Sequence, residues 1–188
     1  ITNYVMLETG QPLHAFDFSR MFGGVLMVRN AKRDEHLETL DGKHSNLSKD
    51  TAVLADAHDA LDIAGIKGGR KAEVTAATTR VLLTAGNFEG SRIHRASKRL
   101  NLSTEAAVRN AHNLSPVLAE RAVARAAQLI VEICGASAGP VVDVRKFERS
   151  KTVLAFNAAR FNRMTGLALS QSVCLQYLNL LGFAVQGN

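Results

Sequence analysis

The residues best equipped for chemistry lie in one heptapeptide near the start, Gln11-Pro12-Leu13-His14-Ala15-Phe16-Asp17. A neutral imidazole can orient or polarise a water, and a carboxylate follows closely. Pro12 fixes its own φ and biases Gln11 toward extended backbone, so His14 is presented from a defined turn. Taken by itself, a lone histidine beside apolar residues more often fills a structural role, so the heptapeptide alone assigns no reaction.

Other chemistries fail on spacing. Gly65-Ile66-Lys67-Gly68-Gly69-Arg70-Lys71 is glycine-rich and basic, which suggests a phosphate loop. Arg70 stands where such a loop needs its second glycine, and Ala72 where it needs a hydroxyl. The glycines instead permit a turn or close approach to a ligand. Cys134 and Cys174 are far apart in apolar helical patterns. They read as reduced core thiols, with no disulfide and no metal site. The sequence contains no His-Glu-x-x-His helix, nucleophile elbow or dinucleotide fingerprint.

The elements that must position these residues change texture at Phe88. Before it, a short helix around Tyr4–Leu7 precedes short apolar runs at Val25–Val28, Thr51–Ala55, Leu61–Ile66 and Thr79–Thr84. Val25–Val28 reads as a buried strand, and Asp41-Gly42 predicts a hairpin joining Leu37–Leu40 to Lys43–Leu47. After Phe88 the period becomes helical. Ser91 is the expected N-cap of a helix through Arg99, with Arg92, Arg95 and Arg99 on one face and Lys98 beside them. That face is either solvated or laid against nucleic-acid phosphates. A second helix runs from Ser115-Pro116 to Gly135, with Leu118, Ala122, Val123, Ala126, Leu129, Ile130 and Ile133 facing a core. Val141–Val144 reads as a last strand and Lys146–Lys151 as a linker. Two helices, Asn157–Gly166 and one after Ser170, then lead into a strand at Gly182–Val185.

The fold class is α/β (α+β): a compact multi-stranded sheet domain with packed helices over residues 1–150. An incomplete helix-helix-strand tail follows over 151–188. With 46% hydrophobic and 21% charged residues the composition is that of a soluble globular protein. A net charge of +6 favours a polyanionic partner without locating it. No apolar run approaches the roughly 18 residues of a membrane span. Opening on Ile1-Thr2-Asn3-Tyr4, the sequence reads as a piece of a longer chain.

Several segments together resemble the β subunit of bacterial phenylalanyl-tRNA synthetase. They are Asn3-Tyr4-Val5-Met6-Leu7-Glu8, Gly10 to Asp17, Leu40-Asp41-Gly42, Ala64-Gly65-Ile66-Lys67-Gly68-Gly69, Val81-Leu82-Leu83 and Ser97 to Ala106. Order and spacing match throughout. The resemblance implies an editing module that hydrolyses tyrosine wrongly attached to phenylalanine tRNA. It also implies a cytoplasmic heterotetramer of two α and two β chains, with ATP and magnesium used at the α-subunit site and no cofactor in this segment. A phenylalanine pocket rejects an added hydroxyl poorly, so a second, hydrolytic site is needed.

Carried onto this sequence, the resemblance places Asn3 and His14 around the ester and amino group. Gly68 would sit where backbone approaches the ligand, with Thr104 and Ala106 in the pocket wall. Arg92, Arg95, Lys98 and Arg99 become candidate tRNA contacts. Thr84 departs from the family, which typically has a glutamate there to accept a hydrogen bond from the tyrosine hydroxyl. Of the run Val108 to Leu114, only Arg109 matches. These departures leave a second expectation beside active editing: a module kept for assembly and tRNA contact that has lost hydrolysis.

Overall fold

The computed structural model describes residues 1–145 and 152–186, and the chain forms two compact units, Ile1–Pro140 and Val141–Asn188. The expected linker at Lys146–Lys151 lies outside the described residues.

The first unit opens with α1 (Thr2–Thr9), which Gly10 ends in the left-handed conformation at φ +81°. The strands are β1 (His14–Asp17), β2 (Met27–Asn30), β3 (His36–Glu38), β4 (His44–Asn46), β5 (Ala52–Ala55), β6 (Ala60–Ile63), β7 (Lys67–Gly68) and β8 (Val81–Thr84). Three helices follow: α2 (Gly90–Leu100), α3 (Glu105–Ala111) and α4 (Pro116–Cys134). Every strand pairing is antiparallel. One sheet has the order β2-β5-β6-β7, β1 pairs with β8, and β3 pairs with β4. A bridge from Thr39 to Gly69 ties the β3–β4 hairpin to the end of β7.

Three apolar clusters hold these layers. Ile93 and Ala96 of α2 pack with Ile63, Val53 and Leu37. Phe16 of β1 packs with Leu54, Leu61 and Ala64, so β6 is buried along its whole length. Val5 of α1 meets Ala122 and Ala126 of α4, with Leu13 and Leu83 alongside. Small residues at Ala122 and Ala126 let the two helices approach closely.

The expected α+β sheet domain is observed, with differences that have physical causes. The strand expected at Val25–Val28 lies two residues later, and Val28 is exposed. Among the described residues β2 is an edge strand paired to β5 on one side, and its burial is correspondingly low. The Asp41-Gly42 turn is present, with Glu38 opposite His44 and Gly42 at φ +79°. Ser91 is not the N-cap of α2. The helix begins one residue earlier at Gly90, whose N–H donates to Asn113 Oδ1 at 2.9 Å. α3 was not foreseen, although Ser103-Thr104-Glu105 carried its signal: the Thr104 hydroxyl accepts from Ala107 N–H at 3.0 Å as an N-cap. In α4, Ile133 and Cys134 are exposed rather than core, because the buried stripe is confined to Ala122 and Ala126.

In the second unit, α5 (Ala158–Thr165) and α6 (Gln171–Leu180) are capped by Asn157 and Ser170. Asn162 braces the turn between them through two hydrogen bonds with Leu169. Cys174 is buried. The strands expected at Val141–Val144 and Gly182–Val185 do not form. Val141, Val142 and Val144 are exposed, and neither segment has a ladder partner among the described residues.

Candidate functional site around His14

β1 is held at its entry by Gln11. The buried Gln11 amide donates to the Pro12 and Gly86 carbonyls at 3.0 Å each, stapling the start of β1 to the segment after β8. The pairing then sets His14 opposite Thr84. Phe16, two residues on and fully buried, lies edge-on to the imidazole with ring centroids 4.5 Å apart. The side chain of His14 is 23% exposed. It is therefore anchored, yet partly exposed.

Gly68 provides the opposite wall. A Cβ added there would lie 2.4 Å from His14 Cε1 and 3.0 Å from Nε2, so only glycine leaves room for the ring. The close approach that the glycines permit is thus made by the imidazole. Gly68 pairs with Asp62 across β6 and β7, which brings Asp62 to the same place. Asp62 Oδ2 lies 4.0 Å from His14 Nδ1. That distance is too long for a hydrogen bond. Asp62 Oδ1 and His14 Nε2 are both buried without a partner among the described residues.

Burial governs the ionisation of both groups. It raises Asp62 from 3.8 to about 7 and lowers His14 from 6.5 to about 4, because removal from water penalises each charged form. Between those values both are neutral, so the contact is a pair of neutral polar groups rather than an ion pair.

Asp17, the carboxylate nearest His14 in sequence, is occupied elsewhere. It accepts from Ser19 N–H at 3.0 Å and from the Thr78 hydroxyl at 2.7 Å, and the Ser19 hydroxyl bond leads in lowering its pKa. Asp62 was not singled out from the sequence. Its signal was a carboxylate between Leu61 and Ile63, a pattern that normally marks an outward-facing position of a half-buried strand.

The other expected site residues divide into two groups. Thr104 lies close to the Gly68 segment: its hydroxyl donates to the Ile66 carbonyl at 2.7 Å, two residues before Gly68. Asn110 of α3 fixes the same turn by donating to the Gly65 carbonyl at 3.0 Å. Ala106 lies in the first turn of α3, half-buried. Thr84 donates its hydroxyl to the His14 carbonyl at 3.3 Å. Asn3 is exposed on α1 and no hydrogen bond joins it to His14.

The basic face of α2 is also divided. Arg92 donates to the Asp50 carbonyl at 2.9 Å and to Asn30, and Arg99 pairs with Asp50 and Ser48. Arg95 and Lys98 are exposed and have no partner among the described residues. No helix among the described residues is long and apolar enough to cross a membrane.

The B3/4 domain family matches residues 1–135. The chain is 40% identical to the phenylalanine–tRNA ligase beta subunit of Dickeya dadantii over 187 residues, which is 98% of this chain and 23% of that protein. It is 44% identical to that of Photorhabdus laumondii over 144 residues, 77% of this chain and 18% of that protein. Against that of Moorella thermoacetica it is 37% identical over 188 residues, 100% of this chain and 23% of that protein. The chain therefore spans about a quarter or less of the length of these curated relatives. It belongs to the B3/4 domain family, in a segment similar to the phenylalanine–tRNA ligase β subunit.

Proposed function

We propose that this chain is the editing segment of a phenylalanine–tRNA ligase β subunit and hydrolyses tyrosine wrongly esterified to phenylalanine tRNA. The observation that carries this reading is His14: a ring locked against Gly68, neutral at physiological pH, partly exposed, and with Nε2 unpartnered among the described residues. A neutral imidazole nitrogen accepts a hydrogen bond from water and holds it for attack on an ester carbonyl. Water adds to the carbonyl carbon, and the bond from that carbon to the terminal ribose oxygen breaks. One proton of the water ends on the ribose oxygen, the other is released to solvent, and the amino acid leaves as its carboxylate.

In this reading Asn3 lies around the ester and amino group, while Gly68, Thr84, Thr104 and Ala106 surround the side chain. The bond from Thr104 to the Ile66 carbonyl supports a wall built beside Gly68. Arg95 and Lys98, exposed and unpaired among the described residues, are the cations of α2 free to meet tRNA phosphates. Arg92 and Arg99 contribute less, since the guanidinium of Arg92 is hydrogen-bonded within the fold and the charge of Arg99 is paired with Asp50. The whole enzyme would act in the cytoplasm as two α and two β chains, with ATP and magnesium at a site on the α subunit. The domain proper would extend to about residue 150, with residues 151–188 opening the next module.

A second reading has one observation in its favour. Thr84 directs its hydroxyl to the His14 carbonyl, which leaves it poorly placed to receive a substrate hydroxyl. On that reading the segment retains tRNA contact and assembly without hydrolysis. Deacylation of tyrosyl-tRNA by the assembled synthetase, with wild type, His14→Ala and Thr84→Glu compared, separates the two. Wild-type hydrolysis abolished in His14→Ala supports editing. No wild-type hydrolysis, with activity gained in Thr84→Glu, supports the second reading.

A further inference from the structure

Asp62 is a buried carboxyl with no Lys or Arg partner among the described residues. On either side in the sheet it meets Leu54 of β5 and Gly68 of β7. The charged groups on the surrounding elements are engaged elsewhere. Lys67 of β7 pairs with Asp41 at 3.6 Å. Asp56, just past β5, holds Lys71 at 3.1 Å. Glu38 of β3 pairs with Arg70 at 2.7 Å, and His36 of β3 is exposed. That leaves His14 of β1 as the titratable side chain facing it.

We infer that Asp62 is a positioning residue for His14: its carboxyl faces the Nδ1 edge of the imidazole and decides which ring nitrogen carries the proton. The inference rests on the reading of His14 as the group that orients water. Phe16 and Gly68 clamp the ring, and sheet pairing on both sides fixes the backbone of Asp62. Closing the 4.0 Å separation by roughly 1 Å, a side-chain adjustment, makes a hydrogen bond.

The direction of that bond depends on the carboxyl. As the acid, Asp62 donates its O–H to Nδ1, and the ring proton resides on Nε2. As the carboxylate, it accepts from Nδ1–H and leaves a lone pair on Nε2, which is buried and unpartnered among the described residues, to accept from a water that enters the site. No proton is gained or lost by the ring as a whole; its single proton changes nitrogen when Asp62 ionises. Because burial places Asp62 near 7 and His14 near 4, the change falls at neutral pH with the imidazole uncharged on both sides.

The test is imidazole NMR of the ¹⁵N-labelled chain. Wild-type His14 should be mainly the Nε2–H form at pH 5.5 and mainly the Nδ1–H form at pH 8.5. Asp62→Asn should hold one tautomer across that range. A wild-type tautomer that does not change, or the same change in Asp62→Asn, overturns the inference; the wild-type arm stands without the variant. In the assembled synthetase, tyrosyl-tRNA deacylation should rise through about pH 7 in wild type and lose that rise in Asp62→Asn. An identical rise in both also overturns it. A tautomer change with no deacylation at any pH upholds the role of Asp62 and counts against the hydrolytic reading.

Discussion

Replacing Asp62 by asparagine removes an ionisable group of nearly the same shape from the interior of β6, and its effect on stability can be worked from the burial. The folded protein holds this carboxyl at about 7 against 3.8 when exposed. Between those values the folded state binds more protons than the unfolded one, so stability falls as pH rises through that window. About two pH units of the effect lie between pH 5 and pH 8, which amounts to about 3 kcal/mol. His14 works in the opposite sense. Its folded value is depressed to about 4 from 6.5, so its contribution is lost as pH falls through that range. That contribution is common to wild type and variant and drops out of their difference. Urea unfolding at pH 5 and pH 8, followed at the backbone amides of β6 and β7, measures the difference directly. Asp62→Asn should gain about 3 kcal/mol on wild type between pH 5 and pH 8. A difference that does not change with pH would show that Asp62 ionises freely, and would refute the burial argument.

Two other substitutions probe the surroundings. Gly68→Ala places a Cβ 2.4 Å from His14 Cε1, so the ring must move or the sheet must open. A loss of about 1–3 kcal/mol in urea unfolding is expected, together with shifted His14 resonances; unchanged stability and spectra would contradict the clamp. On α2, Arg95→Glu should weaken tRNA binding by the assembled synthetase and lower the salt slope by about one, while Arg99→Gln changes it less because Asp50 already engages that charge. Equal effects from the two would contradict the division of this face.

Most of the helices, α3 excepted, and the hairpin were legible in the sequence because their signals are local. Proline at the first position and glycine after the last mark α4, and Asp41-Gly42 marks the β3–β4 turn. The strands expected at Val141 and Gly182 failed because an apolar run becomes a strand only with a partner, and local pattern does not report partners. The site follows the same division. His14 could be singled out by its turn, and Gly68, Thr84, Thr104 and Ala106 by resemblance. Asp62 could not. Its alternation with Leu61 and Ile63 predicts a solvated face, and only the pairing of β6 with β7, under β1, buries it beside the imidazole. Likewise, the separation of Arg95 and Lys98 from Arg92 and Arg99 depends on the loop carrying Ser48 and Asp50, more than forty residues away in sequence.

The central claim is that the His14 site hydrolyses a wrongly charged tRNA. The most direct measurement is the rate at which the assembled synthetase releases tyrosine from tyrosyl-tRNA, with wild type and His14→Ala compared at equal tRNA affinity. A positioned general base contributes about 10²–10⁴-fold, so a loss of that size is predicted. Equal rates in the two proteins would contradict it.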